Sequence, residues 1–297
     1  MRKNQTSMTA IGIAILRGIE SEKPEEERLC HDPYARKFVN GALYSLIRFF
    51  DKMGYSEKKG PGVVGFLIAR ERHIDEFLKA QIQAGVEQVV ILGAGLDARA
   101  YRFNELKKIR VFEVDHPASQ GSKKEKVKQI LGGLPAHVTY VSIDFNAESL
   151  EKRLPESGYD KSRRTLFIWQ GVTQYLTPEA VDSTLAFIAQ HSPAGSSVIF
   201  DYMYPTLLDG TIERGEVNNM RSRRWASGEM LVFGIPEGTV TSFLEQRGFT
   251  DVKDADSKFL HRSYFHGKNA SRAIAYGYAI ASAIVKPGMQ RESHQVS

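Results

Sequence analysis

The chain has 297 residues, of which 42% are hydrophobic and 25% charged, proportions that exclude a disordered or collagen-like protein. This length exceeds one ordinary domain and falls short of two, so we expect one large α/β domain with additions. The 40 Lys and Arg residues slightly outnumber the 35 Asp and Glu residues. That excess is compatible with an anionic ligand and does not by itself indicate nucleic acid.

The cysteine content and the apolar segments predict the cellular location of the protein. Cys30 is the only cysteine, which excludes an internal disulfide and a cysteine-based zinc site. The apolar run at 10–16 has no small-residue cleavage site after it and makes a poor signal peptide. The longest apolar stretch, 273–285, is too short for a bilayer about 30 Å thick. The sequence predicts a cytoplasmic protein without a membrane partner.

In chain order, the first 85 residues carry helical patterns. Apolar residues recur at helical spacing over 8–20, 38–50 and 64–84, and a Gly-Pro loop precedes the third segment. We interpret residues 1–85 as an N-terminal helical cap.

From residue 88 the pattern becomes one of short apolar runs separated by helical segments. Runs of this kind are typical of strands buried on both faces of a parallel sheet. They lie at 88–92, 110–114, 138–141, 165–169 and 197–200, with helical segments at 119–131, 146–154 and 178–191. The alternation predicts a doubly wound, Rossmann-like α/β sheet.

After the fifth run the pattern is less regular. Residues 203–235 are polar and irregular, and we interpret them as a lid insertion. A helix at 237–247, a strand at 249–253 and an apolar segment at 278–286 complete a core that spans 86–286. The remaining residues, 287–297, are predicted to be a disordered tail.

The strongest motif follows the first strand. Gly93 and Gly95 stand in a G-x-G-x-x-A pattern that ends at Ala98, where glycines allow a tight turn and close approach of a ligand. About twenty residues later, Glu113 and Asp115 end the second strand, where a carboxylate can accept both ribose hydroxyls. This pairing predicts a nucleoside cofactor.

Two further acidic residues indicate which cofactor. Asp97 lies in the glycine turn, where its charge would repel a pyrophosphate and suit an amine or a sulfonium, which favours S-adenosylmethionine over NAD. Asp144 ends the third strand and could accept a hydrogen bond from the adenine amino group, with Phe145 packed on the ring. Asp144 could equally be the N-cap of the helix predicted at 146–154.

These stretches together make the sequence similar to the leucine carboxyl methyltransferase-like family of S-adenosylmethionine-dependent O-methyltransferases. The similarity lies in 32–35, 69–72, 92–102, 113–117 and 169–179, in family order and spacing. It covers about residues 7 to 200 and implies the seven-stranded sheet of class I methyltransferases.

The resemblance also implies roles for individual residues. Arg70 would bind the carboxylate of the methionine moiety, and the Gly93-Ala94-Gly95 loop would line the cofactor. Asp115 would bind the ribose, and Asp144 with Phe145 the adenine. One position departs from the family: Gln170 stands where a glutamate often faces the cofactor's amino group, so the hydrogen bond can persist but the charge is lost.

The residues for acceptor chemistry are less marked. An alcohol or phenol acceptor needs a base, for which Tyr175, Tyr202 and His116 are candidates, whereas a carboxylate is already ionised at neutral pH. Tyr204 with Arg223 and Trp225 could bind an anionic or phenolic substrate. All of these residues could instead be pocket wall, packing or solvated turn, and no histidines have metal-ligand spacing, so no metal is expected.

The sequence therefore predicts an S-adenosylmethionine-dependent O-methyltransferase acting on a carboxylate or on a phenolic or hydroxyl oxygen of a small molecule, without nucleic acid as partner. A protein C-terminal carboxyl methyltransferase and a catalytically silent nucleotide-binding protein are alternatives, and a nicotinamide-dependent oxidoreductase is disfavoured by Asp97. The sequence indicates no oligomeric state.

Overall fold

A seven-stranded sheet forms the centre of the molecule in the computed structural model, which describes residues 7–144, 148–209 and 231–288. The strands are β1 Gln88–Leu92, β2 Arg110–Asp115, β3 Val138–Ser142, β4 Thr165–Trp169, β5 Ser197–Met203, β6 Phe249–Asp256 and β7 Tyr278–Val285. Their order is β3-β2-β1-β4-β5-β7-β6, with β1 to β5 parallel and β7 antiparallel to both β5 and β6.

The predicted strands are confirmed at all five runs, and every residue of β1, β4 and β5 is buried. Such strands are apolar without alternation because helices cover both faces of the sheet. β6 extends three residues beyond its predicted end, and the closing apolar segment is β7. Its antiparallel direction is what the sequence pattern did not show.

Helices cover both faces of the sheet. They are α1 Met8–Ser21, α2 Gly41–Lys52, α3 Tyr55–Lys59, α4 Val63–Gln83, α5 Arg99–Arg102, α6 Pro117–Leu131, α7 Leu150–Glu156, α8 Pro178–Gln190, α9 Pro205–Asp209, α10 Val240–Glu245 and α11 Ser257–Tyr264. Short 3₁₀ turns lie at Ala35–Phe38, Asn104–Lys108, Thr173–Tyr175 and Gly267–Asn269. Within the described ranges, no helix is both long and apolar enough to cross a membrane.

The caps of two helices test the sequence interpretation. Thr177 caps α8, and its side chain accepts a hydrogen bond from the Ala180 N–H, as predicted. The helix predicted at 146–154 instead begins at Leu150, and Ser149 caps it by accepting from the Glu151 N–H at 3.1 Å. Asp144 is therefore not the N-cap of this helix.

The helices α1 to α4 precede β1, in the region predicted as a cap. α4 packs on one face of the sheet, against β4 and β5. Its Gly65 lies so close to the Ala273 carbonyl oxygen that a Cβ atom would overlap it. The helices are as expected, and their separation as a domain of 1–85 stays a prediction.

The described parts of the segment predicted as a polar lid pack at the carboxyl end of β5. β5 continues to Met203, α9 follows it, and Leu207 is buried. On the return, the Ile235 N–H donates to the Met203 carbonyl and the Val232 N–H to the Gln174 carbonyl. Residues 210–230 and 289–297, which include most of the predicted lid and tail, lie outside the described residues.

Candidate active site

Three polar side chains at the carboxyl ends of parallel strands lie on one face of the sheet. Alternate residues of a strand point to opposite faces, so Asp115, Gln170 and Asp201 continue the rows that bury Val111, Ile168 and Ile199 beneath α4. Ligands of doubly wound sheets bind at this edge. The candidate site is the part of the edge that these residues share with α4 and the glycine loop.

The glycine loop after β1 is held by Asp115. Gly93 has φ of 64° and Gly95 has φ of 41°, both in the left-handed region that favours glycine. The Gly95 N–H donates to Asp115 Oδ2 at 2.5 Å, and the His116 N–H donates to the other oxygen at 2.6 Å. A Cβ atom at Gly93 would overlap the Val172 side chain.

Burial and these contacts together determine the pKa of the Asp115 carboxyl and its remaining capacity to accept hydrogen bonds. Burial raises its pKa, and the two backbone donors act in the opposite direction. Each oxygen keeps acceptor capacity beyond its backbone bond. The structure thus brings Gly93, Ala94, Gly95 and Asp115 together, as predicted.

Arg70 is buried beneath the same edge, and only part of its guanidinium is hydrogen-bonded. It is 2% exposed, and its Nη1 donates to Asp201 Oδ2 at 2.6 Å. Its Nε and Nη2 are buried and have no hydrogen-bond partner among the described residues. A buried guanidinium with two free donors is a site for a carboxylate, which it can bind through two parallel bonds.

Gln170 lies beside Arg70 and is oriented by a carboxylate. Its Nε2 donates to Glu71 Oε1 at 2.5 Å, which leaves its Oε1 buried and without a partner in the described part of the chain. Because the amide nitrogen is engaged by Glu71, the oxygen must face the other way. Gln170 therefore presents an unpartnered acceptor at this edge of the sheet, while the negative charge resides on Glu71. Its contact with a cofactor stays a prediction.

Asp97 does not face a ligand, contrary to the reasoning from sequence. It is buried, and its carboxylate pairs with the Arg99 guanidinium and accepts from the Arg99 N–H. Burial alone would raise the pKa of Asp97, but the Arg99 charge with Lys123 and Arg17 lowers it to about 2. Its charge is thus neutralised inside the protein, and it gives no reason to prefer a sulfonium over a pyrophosphate.

Arg99 is the centre of a buried ion-pair network behind the loop. Its Nη2 binds Glu71 at 2.8 Å and its Nε binds Asp75 at 2.8 Å. Arg17 of α1 adds a bond to Asp32 at 3.0 Å and approaches Glu71 at 3.5 Å. Burial would raise the pKa of Glu71, but these arginines hold it below its ordinary value.

The adenine end of the predicted site is only partly described. Asp144 follows β3, and its side chain is 42% exposed, with an oxygen 4.0 Å from His116 Nε2. The position at the same sheet edge agrees with the prediction. Phe145 lies outside the described residues, so its packing against adenine stays a prediction.

The structure does not support two of the predicted bases. Tyr202 points to the opposite face from Asp201, is 2% exposed and donates to Asp254 Oδ1 at 2.9 Å. Burial and the neighbouring carboxylate raise its pKa, so it resists the ionisation that a base needs. His116 caps α6, and its Nδ1 accepts a hydrogen bond from the Ala118 N–H. In the neutral ring the proton is then on Nε2, so the one nitrogen that could accept a proton is already engaged.

The other residues predicted to act on or bind the methyl acceptor lie in different parts of the chain, and not all of them are described. Tyr175 lies half-buried in the turn after β4, on the loop that carries Gln170, and its catalytic role stays a prediction. Tyr204 is buried against Tyr202 and Tyr276, and burial raises its pKa. Arg223 and Trp225 lie outside the described residues. In the described ranges, no cluster of three metal-binding side chains is present.

Two site residues were missed in the sequence. Glu71 stands inside the matched stretch 69–72, but nothing in the local pattern shows that it contacts a residue 99 positions away. Asp201 binds both Arg70 and the Gly171 N–H, the latter at 2.6 Å. Its signal was available, because it directly follows the apolar run 197–200, as Asp115 follows the run 110–114.

The sequence model of the leucine carboxyl methyltransferase family matches residues 10–189. The chain belongs to the leucine carboxyl methyltransferase family. The predicted enzyme class, an S-adenosylmethionine-dependent methyltransferase, is confirmed by this membership together with the curated relatives.

Two relatives and one solved structure show how far the similarity extends. YktD of Bacillus subtilis, named as an S-adenosyl-L-methionine-dependent methyltransferase, is 31% identical and covers 94% of this chain and 99% of its own. A Mycobacterium ulcerans protein with the same designation is 30% identical over 83% of this chain and 80% of its own. A DUF574 family protein from Streptomyces avermitilis has a TM-score of 0.56 and 12% identity, covering 96% and 99% of the two chains, and supports the fold.

The residues at the edge fit the cofactor of this leucine carboxyl methyltransferase family member. S-adenosylmethionine carries a carboxylate, an ammonium and a ribose diol. The structure offers two unpartnered donors on Arg70, an unpartnered acceptor on Gln170, and the Asp115 carboxylate beside the glycine loop.

Proposed function

We propose that the chain transfers the methyl group of S-adenosylmethionine to an oxygen of a small-molecule acceptor, either a carboxylate or a phenolic or hydroxyl oxygen. The observation that best supports cofactor binding is the buried guanidinium of Arg70, whose Nε and Nη2 have no hydrogen-bond partner among the described residues. The buried Gln170 oxygen nearby also has no partner there. When bound, the cofactor supplies a methyl group on a sulfonium, which is a good leaving group.

In this proposal the chain's own residues bind and orient. Arg70 binds the carboxylate of the methionine moiety, and Gln170 Oε1 accepts from its ammonium group. Asp115 accepts from the ribose hydroxyls, and the left-handed glycines let the backbone approach the cofactor. Alignment of acceptor and methyl group then supplies much of the rate.

The environment of the tyrosines favours a carboxylate acceptor. Tyr202 and Tyr204 both have a raised pKa because of burial and nearby carboxylates, so neither is suited to accept a proton at neutral pH. A carboxylate is already ionised and needs no base. We therefore favour the formation of a methyl ester over the formation of a methyl ether.

The proposal also covers partners and location. The acceptor is a small molecule, with neither nucleic acid nor membrane as a partner. The protein acts in the cytoplasm, in keeping with the buried free thiol of Cys30.

The test is a product analysis with radiolabelled S-adenosylmethionine and a panel of carboxylic acids and phenols. We expect a labelled product from at least one acid, and mild alkali should release its label as methanol, since methyl esters hydrolyse and aryl ethers do not. Asp115→Asn serves as the negative variant, with turnover reduced at least about tenfold because a charged ribose acceptor is lost.

Other outcomes identify the alternatives. Label on a protein C-terminus and on no small acid or phenol would show the protein carboxyl methyltransferase. Cofactor binding by calorimetry without any product from the full panel would favour the catalytically silent protein. Alkali-stable label would contradict the preference for esters and support an ether.

A further inference from the structure

A cavity of about 620 Å³ lies near the end of β6 and the start of β7. Its described lining comes from α11, which supplies Ser257, Lys258, His261 and Arg262, and from the segment before β7, which supplies Ile274 and Tyr276. A volume of this size accommodates a small organic molecule. None of these residues belongs to the cofactor site.

The cavity lies at the same edge of the sheet as the cofactor residues, on the far side of β5. The carboxyl end of β5 pairs with the start of β7, with Met203 opposite Tyr278, and β6 ends where Asp256 pairs with Ala279. α11 begins directly after that pair. β5, with Asp201 and its partner Arg70, therefore stands between the cofactor strands β1, β2 and β4 and the cavity.

The charged side chains among the described lining residues are all basic. Lys258, His261 and Arg262 are spaced three and four residues apart, so they share one face of α11. Lys258 and Arg262 are exposed and form no ion pair within the described part of the chain, and no carboxylate is among the described lining residues. The nearby Asp256 carboxylate is engaged by the Phe259 N–H at 2.6 Å.

The lining from the segment before β7 is mainly apolar. It consists of Ile274 and Tyr276, whose hydroxyl donates to Glu237 and whose ring packs edge-on against Tyr204 at 5.6 Å. A ligand here would therefore contact cations from α11 and apolar surface from this segment.

We propose that this cavity is the acceptor subsite and that it binds an amphipathic organic anion. The anionic group binds Lys258 and Arg262, and the apolar body packs on Ile274 and Tyr276. This rests on the proposed function. Lys258 and Arg262 withdraw negative charge from the bound anionic group, and they lie beyond β5 from the cofactor residues. We therefore assign this group to binding and not to methyl transfer. The oxygen that receives the methyl group is a second function at the other end of the molecule.

The experiment measures binding of carboxylates and their neutral amides without cofactor. The probes are 4-hydroxybenzoate, indole-3-acetate and decanoate, each paired with its amide and titrated by calorimetry at low ionic strength. At least one carboxylate should bind about tenfold or more tightly than its amide, since a charged hydrogen-bonding partner contributes that much. Added salt should reduce the difference.

Two double variants separate the cavity from general surface charge. Lys258→Ala with Arg262→Ala should abolish the preference for the carboxylate. Lys152→Ala with Lys161→Ala removes the same charge from exposed positions on and after α7 and should retain the preference. Thermal unfolding of both variants verifies that they are folded.

The proposal is overturned if every carboxylate binds no better than its amide, or if the preference survives in the Lys258→Ala, Arg262→Ala variant. S-adenosylmethionine is titrated into the same proteins, and its affinity should be equal in wild type and both variants. Absence of cofactor binding to wild type would overturn the proposed function, while the carboxylate comparison would still decide whether the cavity binds anions.

Discussion

At the scale of single residues, Gln170 is paired with a carboxylate that was not associated with it in the sequence. Where the family often has glutamate, this chain has an amide whose nitrogen donates to Glu71 at 2.5 Å. The negative charge at this contact is that of Glu71, which Arg99 and Arg17 stabilise. Gln170 and Glu71 therefore form one arrangement of an amide and a carboxylate.

This arrangement predicts the effect of restoring the family's residue. Gln170→Glu would place two carboxylates in contact, and like charges at that distance cannot both ionise without a large penalty. We expect S-adenosylmethionine affinity to fall at least about tenfold and stability to fall by about 1–3 kcal/mol. Calorimetry and urea unfolding measure the two effects.

The exchange of both residues is the matched control. Glu71→Gln combined with Gln170→Glu keeps one carboxylate and one amide in contact, so it should recover much of the affinity lost by Gln170→Glu alone. Additive losses in the double variant would show that the two side chains do not act as a pair.

At the scale of elements, α4 connects the cofactor site to the segment that leads into β7. Arg70 and Glu71 lie in its middle, and its first turn packs against residues 273–275, where the Ala275 N–H donates to the Gly62 carbonyl at 2.8 Å. Gly65 allows this contact, because no side-chain atom fits between α4 and the Ala273 carbonyl. The position of Arg70 therefore depends on a glycine more than one helical turn away.

Substitution of Gly65 tests this dependence. Gly65→Ala should destabilise the protein by about 1–3 kcal/mol, because the added methyl group meets backbone that cannot rotate away. Gly12→Ala is the control in α1, where a Cβ has nothing within 4 Å, and it should stabilise by about 0.5–1 kcal/mol through helix propensity. Equal effects of the two changes in urea unfolding would contradict close packing at Gly65.

At the scale of the whole molecule, the buried ion pairs join segments that are far apart in the chain. Arg99 follows the glycine loop and binds carboxylates on α4, and Arg17 binds the turn at Asp32 and the Leu96 carbonyl. Buried charges are costly unless paired, so each segment stabilises the others only when all are in place.

Removal of the central cation should therefore affect the entire fold. Arg99→Met leaves three buried carboxylates short of a partner and should cost about 3–5 kcal/mol, a large part of a typical stability of 5–15 kcal/mol. Arg163→Met, at a position 56% exposed and paired with Asp160, should cost less than about 1 kcal/mol. An unfolding free energy for Arg99→Met within about 1 kcal/mol of wild type would mean that the network does not stabilise the fold.

Much of the architecture follows from local sequence signals. Apolar β-branched runs predict β1 to β5, Thr177 and Pro178 predict the start of α8, and the glycine motif predicts the left-handed loop at Gly93 and Gly95. These features depend on side chains and backbone preferences within a few residues of one another, so they are visible in the order of the amino acids. Family membership and the cofactor class follow from the same motifs.

Only the tertiary structure decided which charges meet. Asp97 is neutralised by Arg99, Gln170 is oriented by Glu71 across 99 residues, and Arg70 pairs with Asp201 across 131. The face to which Tyr202 points and the antiparallel direction of β7 were decided in the same way. Contacts of this kind arise when distant segments pack on one sheet, and burial then makes each charge's partner decide its chemistry. The sequence determines the elements and the loop, whereas the packing determines which of their polar side chains remain free for a ligand.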